Sequence, residues 1–145
     1  MLKTLVTIVL ICFPMMNCLG QNLEQHQWRN RILVIKTLDL NSTLYLDQLE
    51  AFHTSKDGFI ERKLIVYFLS GNRYRLIDYN KGKLNATGEV SKKQFQRLFK
   101  EKENFEILLI GLDGRIKLRQ NEPLSTKDLF RIIDNMPMRR NEIKN

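Results

Sequence analysis

The stretch from residue 105 to residue 133 constrains the fold more than any other part of this sequence. An apolar run at 105–110 (FEILLI) is followed by Asp113 and Gly114, and then by a run at 115–119 (RIKLR) in which apolar and basic residues alternate. A two-residue hairpin turn needs positive φ angles, so we expect Asp113 and Gly114 to supply them. The stretch therefore predicts an antiparallel hairpin, and the residues after it predict a helix.

Two further apolar runs predict strands that are buried on both faces of a sheet. They occupy residues 31–36 (RILVIK) and 63–69 (KLIVYFL), and each is bounded by charged residues. A helix is expected between them, with Asn41 or Ser42 at its N-cap and with residues 56–58 (KDG) ending it. The apolar side of this helix is expected to carry Leu46, Leu49 and Phe52. A strand, a helix and a strand in this order indicate a parallel pair.

The middle of the chain predicts smaller elements. Residues 73–79 predict a short outer strand, and residues 80–88 predict a turn-rich, mobile connection. Ser91 and Gln94 have the spacing of a capping box, which predicts a short helix after them. The buried stripe of that helix is expected to be Phe95, Leu98 and Phe99.

The order of these elements predicts the fold class. The last helix is expected to begin after Ser125 and to end at Pro137. A parallel pair followed by an antiparallel hairpin and a closing helix is the element order of the thioredoxin fold. We therefore predict one α/β, thioredoxin-like domain over residues 21–145, with a mixed sheet, a C-terminal antiparallel hairpin and three flanking helices. The length of 145 residues leaves room for a single core.

The first twenty residues have the layout of a secretory signal peptide. Lys3 precedes an apolar run at 5–16, which is shorter than the ~20 residues that a membrane span needs. We predict cleavage after Gly20, no transmembrane span in the mature chain, and a secreted or periplasmic protein. Two alternatives stay open. One is a lipid anchor on Cys18, which is disfavoured because lipoprotein signals have a small residue before the cysteine and this chain has Asn17 there. The other is an uncleaved signal that anchors the protein in the membrane.

Cysteine usage and charge limit the possible functions. Both cysteines, Cys12 and Cys18, lie in the predicted signal peptide, so the mature chain can form neither a disulfide nor a thiolate. The sequence has 24 Lys and Arg residues against 16 Asp and Glu residues, a net charge of +8. Outside the cytoplasm, a basic surface favours anionic glycans, lipid head groups or acidic proteins as partners over nucleic acid. The alternative is that the charge serves solubility alone.

Five basic residues are the candidate binding residues. Arg115, Lys117 and Arg119 alternate along one predicted strand, so they share a face that could meet a polyanion, or they form the polar side of an edge strand. Arg139 and Arg140 follow the predicted end of the last helix. There they complement the helix dipole, or they dock a partner together with the nearby methionines.

The remaining polar residues predict no catalytic residue, metal site or cofactor. His26 and His53 each stand alone, without a second ligand at metal spacing. The acidic pairs, Asp57 with Glu61 and Glu101 with Glu103, are expected to be solvated. Trp28 is expected to cover the start of the first strand, with an exposed ligand-binding side chain as the alternative.

Three blocks of the sequence resemble a known family. They are WRNR at 28–31, GLDGRIKLR at 111–119 and IDNMPMRRNEI at 133–143, and they are similar to the domain-of-unknown-function family four-one-seven-four. This family is described as peroxiredoxin-like. It includes secreted bacterial proteins, and related domains occur in coiled-coil domain-containing protein eighty and in sushi-repeat-containing proteins.

The resemblance implies a thioredoxin-like fold and an extracytoplasmic setting, and it brings no catalytic residues. The segment where a reactive thiol would lie, 37–42 (TLDLNS), has no Cys, and no proline precedes Phe105. We therefore expect a secreted, non-catalytic binding module for an anionic envelope component, an anionic glycan or an extracellular protein. The alternatives are a peroxiredoxin-like thiol oxidoreductase, disfavoured by the missing Cys, and a structural protein–protein interaction domain.

Overall fold

The computed structural model describes residues 23–81 and 83–144, so the predicted signal peptide and both cysteines lie outside the described residues. A six-stranded sheet forms its centre, in the order β4-β3-β2-β1-β5-β6. The strands are β1 (Arg31–Thr37), β2 (Leu64–Ser70), β3 (Arg73–Asp78), β4 (Lys83–Glu89), β5 (Phe105–Ile110) and β6 (Ile116–Gln120). The helices bounded within those residues are α1 (Thr43–Phe52), α2 (Lys56–Glu61), α3 (Lys92–Leu98), α4 (Thr126–Asp134) and α5 (Pro137–Lys144).

The predicted parallel pair and the predicted hairpin lie side by side in the sheet. β1 pairs in parallel with β2 and antiparallel with β5, and β5 pairs antiparallel with β6. Every residue of β1 and β5 is buried. The continuous apolar runs therefore form the central strands, where both faces of the sheet are covered.

Alternate residues of β1 enter two hydrophobic cores. Leu33 and Ile35 face a core that α1, α2 and α4 close with Phe52, Phe59 and Leu129. The other face carries Ile32, Val34, Ile65, Tyr67 and Leu108, which α3 and the residue after it cover with Phe95, Leu98 and Phe99. A fully buried side chain of this size contributes about 1.5–3 kcal/mol, so the two cores hold the fold together. Within the described residues, no helix has the length and apolar composition needed to cross a membrane.

The inward face of α1 differs from the prediction. The buried residues are Tyr45, Gln48 and Phe52, whereas Leu46 is 50% exposed. Gln48 points inward because its amide makes two hydrogen bonds to the backbone of Leu124, at 2.6 and 3.0 Å. Leu49 and Phe52 pack against the core as predicted, and Gln48, a polar residue that the apolar pattern did not include, joins them because its amide is satisfied.

Three segments that were expected to be irregular form elements. Residues 56–58 do not end α1, which already stops at Phe52, but begin α2, which buries Phe59. Residues 83–89 form β4 along β3, so β3 is not the outer strand. Pro137 opens α5 and does not close the helical region, since proline fits the first turn of a helix. From residue 43 to residue 144, the described part of the chain therefore has five helices, whereas three were expected.

The hairpin between β5 and β6 uses a longer turn than predicted. Gly114 donates its N–H to the carbonyl of Gly111 at 3.0 Å, and it has φ of 76°, whereas Asp113 does not have a positive φ. The register changes from Leu109–Leu118 to Ile110–Ile116, which leaves one extra residue on β6. A turn of this kind requires the left-handed conformation only at its glycine.

Candidate functional site

The loop between β1 and α1 has no cysteine, and its polar side chains bond to its own backbone. Thr37 Oγ1 donates to the carbonyl of Asp39 at 2.7 Å and accepts from the backbone N–H of Asp39 at 3.1 Å. The carboxylate of Asp39 accepts the N–H of Asn41 at 2.9 Å. These short-range bonds use the polar side chains to shape the loop.

A cleft of about 770 Å³ lies beside this loop, at the carboxyl end of β2. Its floor consists of two rows of neighbours across β2, β3 and β4. One row is Phe68, Arg75 and Thr87, and the other is Ser70, Arg73 and Glu89. Leu40 and Tyr45 line it from the side of α1. The cleft therefore occupies the part of the sheet face that the helices leave open.

Arg75 is the central polar group of this cleft. Its Nη2 donates to the hydroxyl of Tyr45 at 3.3 Å, and its guanidinium carbon lies 5.7 Å from the centre of the Phe68 ring. In the part of the chain that the structure describes, this is the side chain's one hydrogen bond, so Nε and Nη1 remain available. An aromatic face beneath the guanidinium fixes its position without neutralising its charge.

Arg73 is the second cation of the cleft, and it is held loosely. Its Nε lies 3.9 Å from the carboxylate of Glu89, and both side chains are mostly exposed. An exposed ion pair at this distance contributes little to stability. Arg73 can therefore leave Glu89 and contact a ligand.

Exposed leucines are concentrated in the sequence around the β1–α1 loop, and one of them lines the cleft. Leu38, Leu40, Leu44 and Leu46 are between 40% and 50% exposed, and they lie within nine residues of the chain. Leu40 lines the cleft itself. Neighbouring apolar side chains that are left in water are typical of a surface that contacts another protein.

The two histidines have different surroundings. His26 Nε2 lies 3.0 Å from the hydroxyl of Tyr67. Burial lowers the pKa of His26 below its usual range, against a side-chain hydrogen bond with Asn30 that raises it. His53 is exposed at the end of α1. Among residues 23–81 and 83–144, no three His, Cys, Asp or Glu side chains are grouped so that they could hold a metal ion.

The predicted row of basic residues is partly neutralised. Lys117 Nζ lies 2.7 Å from the Asp113 carboxylate, whose pKa this hydrogen bond lowers. Arg119 pairs with the buried carboxylate of Glu106. Arg115 precedes β6 and is exposed. The extra residue on β6 interrupts the regular alternation, so the three cations do not form an evenly spaced row.

The structure moves Arg139 and Arg140 from a predicted tail into α5. Arg139 is 5% exposed, and it forms ion pairs with Glu61, Asp134 and Glu142. Arg140 is exposed, and its guanidinium lies 3.4 Å from the amide oxygen of Asn135. Arg139 is therefore a structural cation that joins α5 to α2 and α4, because Pro137 begins a helix and turns this side chain inward.

Trp28 and the cleft residues also depart from the sequence-based expectations. Trp28 is 64% exposed and has φ of 65°, so it does not cover β1. Arg75 and Tyr45 were not predicted as site residues. The alternation of Arg73 and Arg75 with buried residues indicates that they share a face. The sequence has no signal that this face is left open by α1.

Comparisons with known proteins agree with the architecture. A protein-family model described as "Domain of unknown function (DUF4174)" matches residues 22–142. The crystal structure of the reduced 2-Cys peroxiredoxin of Plasmodium vivax superimposes with a TM-score of 0.54 at 14% sequence identity, over 81% of this chain and 71% of that chain. At this identity the likeness concerns the fold alone, and it confirms the thioredoxin-like class. No curated protein matches the sequence.

Proposed function

Because this chain belongs to the family described as domain of unknown function DUF4174, we propose that it is an extracytoplasmic, non-catalytic binding module with a thioredoxin-like fold. The signal-peptide pattern of residues 1–20 supports the compartment. The absence of any Cys after Cys18 supports a role without thiol chemistry. The ligand would occupy the cleft beside the β1–α1 loop.

The observation that carries this proposal is the combination of Arg75 with exposed leucines. A guanidinium with two nitrogens that lack a partner among the described residues, Nε and Nη1, favours a carboxylate, and the aromatic surface below it keeps it in place. The adjacent leucines favour apolar side chains. We therefore propose an acidic, partly apolar segment of another protein as the ligand.

The edge strand β4 supports an extended form of this ligand. β4 is the outermost strand on this side of the sheet, and Thr87, Gly88 and Glu89 border the cleft. An extended segment can add to such an edge through backbone hydrogen bonds while its side chains enter the cleft. An anionic glycan is the less favoured ligand, since Lys117 and Arg119 already have carboxylate partners.

The first prediction concerns binding in the cleft. Labelled peptides that alternate Glu and Leu should bind the chain beginning at Gln21. Arg75→Gln should weaken binding at least about tenfold, because a charge-assisted hydrogen bond contributes roughly 1.5–3 kcal/mol. Fluorescence anisotropy at several salt concentrations measures the affinity. Lys127→Gln removes an exposed positive charge from α4 and is the matched control; it should leave the affinity nearly unchanged.

Different outcomes would identify a different function. Equal losses of peptide affinity in the Arg75 and Lys127 variants would mean that the overall positive charge attracts the peptide and that the peptide does not bind in the cleft. Tight binding of heparin fragments in place of peptides would favour the glycan. Self-association that persists at high salt would favour the structural interaction domain, because an apolar interface is not screened.

A further inference from the structure

A second cavity lies at the opposite end of β1 from the cleft. It has a volume of about 230 Å³, between the β5–β6 turn and the junction of α4 with α5. Its apolar walls are Leu112, Met136, Pro137 and Met138. Its charged lining residues are Arg31, Lys117 and Asp113, and the last two neutralise each other in an ion pair of 2.7 Å, which leaves Arg31 as the cation without a partner among the described residues that line the cavity. β1 has seven residues, so roughly 20 Å separates the two sites at about 3.3 Å per residue.

Arg31 is the unusual residue of this cavity. Its side chain is 1% exposed, and Nη1 donates to the carbonyl of Arg62 at 2.8 Å and to Glu142 at 3.2 Å. Its Nε and Nη2 are buried and have no hydrogen-bond partner among the described residues. Buried donors of a charged group are rarely left without an acceptor, since the desolvation of each one is costly.

The ion pairs around Arg31 leave an excess of positive charge. In the described part of the chain, this network joins four cations to three carboxylates. The cations are Arg31, Arg62, Lys63 and Arg139, and the carboxylates are Glu61, Asp134 and Glu142. A single carboxylate, that of Glu142, forms ion pairs with three of these cations, Arg31, Lys63 and Arg139. One further anion would balance the network.

We infer that this cavity binds a small monocarboxylate with a short aliphatic tail. Nε and Nη2 form the side edge of the guanidinium, and a carboxylate matches that edge with two parallel hydrogen bonds. The apolar walls suit the tail. The volume equals about seven water molecules, which corresponds to a ligand of roughly six to eight heavy atoms.

Entry to the cavity requires a lining side chain to move. The two unpaired nitrogens have no exposed surface, so a ligand reaches them only when a wall side chain turns aside. Met138 is 40% exposed, and methionine is the most adaptable apolar side chain. Of the lining side chains, we therefore expect Met138 to turn aside when the carboxylate enters.

The test is a titration followed on the methyl signals of Met136 and Met138 by NMR, in the chain beginning at Gln21. Hexanoate should give saturable shifts and bind more tightly than butanoate. Sodium chloride at equal ionic strength should give no such shifts. Hexanamide has the same size without the charge, and it should bind about tenfold more weakly or worse, because it loses the charge-assisted bonds.

Two variants test whether the saturable shifts arise from binding in this cavity. Arg31→Gln should abolish saturable binding of hexanoate. Met138→Glu changes an exposed residue, so it keeps the fold, and its negative charge should weaken hexanoate binding at least fivefold. Arg75→Gln lies in the cleft and should have no effect here, which makes this result independent of the proposed function. Equal binding of hexanamide and hexanoate, no saturable shift, or unchanged affinity in Met138→Glu would overturn the inference.

Discussion

Glu106 is a single side chain on which a buried charge depends. Lys36 is completely buried, and its Nζ lies 3.6 Å from the carboxylate of Glu106. The same Nζ donates to the carbonyl of Lys100 at 2.7 Å and lies over the rings of Phe95 and Phe99. Burial lowers the pKa of Lys36, and the nearby Glu106 carboxylate opposes that shift. Glu106 also binds Arg119 and the N–H of Lys100. This carboxylate therefore compensates charge in the middle of the sheet.

Replacing Glu106 by Gln should destabilise the protein by about 3 kcal/mol. The reason is that Lys36 would remain buried with its charge uncompensated, and breaking a buried pair from one side costs roughly 3–5 kcal/mol. Urea unfolding at pH 7 measures the loss. Glu89→Gln is the matched control, since Glu89 belongs to an exposed pair worth less than about 1 kcal/mol. Similar losses in both variants would contradict the role of Glu106.

The helix α5 shows how ion pairs attach an element that has a weak apolar face. Arg139 is its one buried residue among those described, and it joins carboxylates from α2, α4 and α5 itself. Burial alone would raise the pKa of Asp134 and of Glu142. Hydrogen bonds from Arg62 and Arg139 to Asp134, and the charges of Arg31 and Lys63 near Glu142, outweigh burial and lower both pKa values.

The attachment of α5 should weaken in acid. Carboxyls with lowered pKa values in the folded state add stability that is fully present above their ordinary values of 3.8 and 4.5. This stability is lost as the pH falls through the lower folded values. Unfolding free energy measured from pH 7 to pH 3 should therefore decrease below about pH 4.5. The decrease should be shallower in Arg139→Gln.

Arg139→Gln should also lower the free energy of unfolding by about 2 kcal/mol at pH 7. This loss is smaller than for a fully buried ion pair, because the carboxylate partners of Arg139 are partly exposed. Arg140→Gln is the control, because Arg140 is exposed on the same helix, and it should change stability by less than about 0.5 kcal/mol. A variant at position 139 that unfolds like the control would show that apolar contacts alone hold α5.

Elements with their own periodicity could be predicted from the sequence, and elements formed by tertiary contacts could not. β1 and β5 follow from continuous apolar runs, and α4 follows from its cap, since Ser125 accepts the N–H of Asp128. β4 carries no apolar run and is a strand because β3 offers it a partner. The cleft also depends on tertiary structure, since the position of α1 relative to the sheet leaves Arg75 accessible to solvent. It could therefore not be predicted from the sequence.

The molecule as a whole has a thioredoxin-like fold, and its β1–α1 loop carries no cysteine. Ser42 is the N-cap of α1, immediately after the β1–α1 loop. The start of a helix carries a partial positive charge that stabilises an anion. The start of α1 therefore provides an electrostatic setting that would favour a thiolate over a thiol.

A cysteine placed at Ser42 should therefore have a pKa below the ordinary value of about 8.5. His53→Cys is the matched control, because His53 caps the other end of the same helix, where the dipole favours the neutral thiol. The pH dependence of iodoacetamide alkylation, in chains that begin at Gln21, measures both pKa values. Indistinguishable profiles would contradict an electrostatic role for the β1–α1 junction.

The central place of β1 also determines when the polypeptide can become stable. Ile32 is paired on one side with Ile65, but on the other side with Ile110, near the far end of the chain. During synthesis, the most apolar strand edge therefore stays open until residue 110 has emerged from the ribosome. N-terminal fragments that stop before β5 should accordingly be aggregation-prone and readily degraded, and they should not survive as independent subdomains.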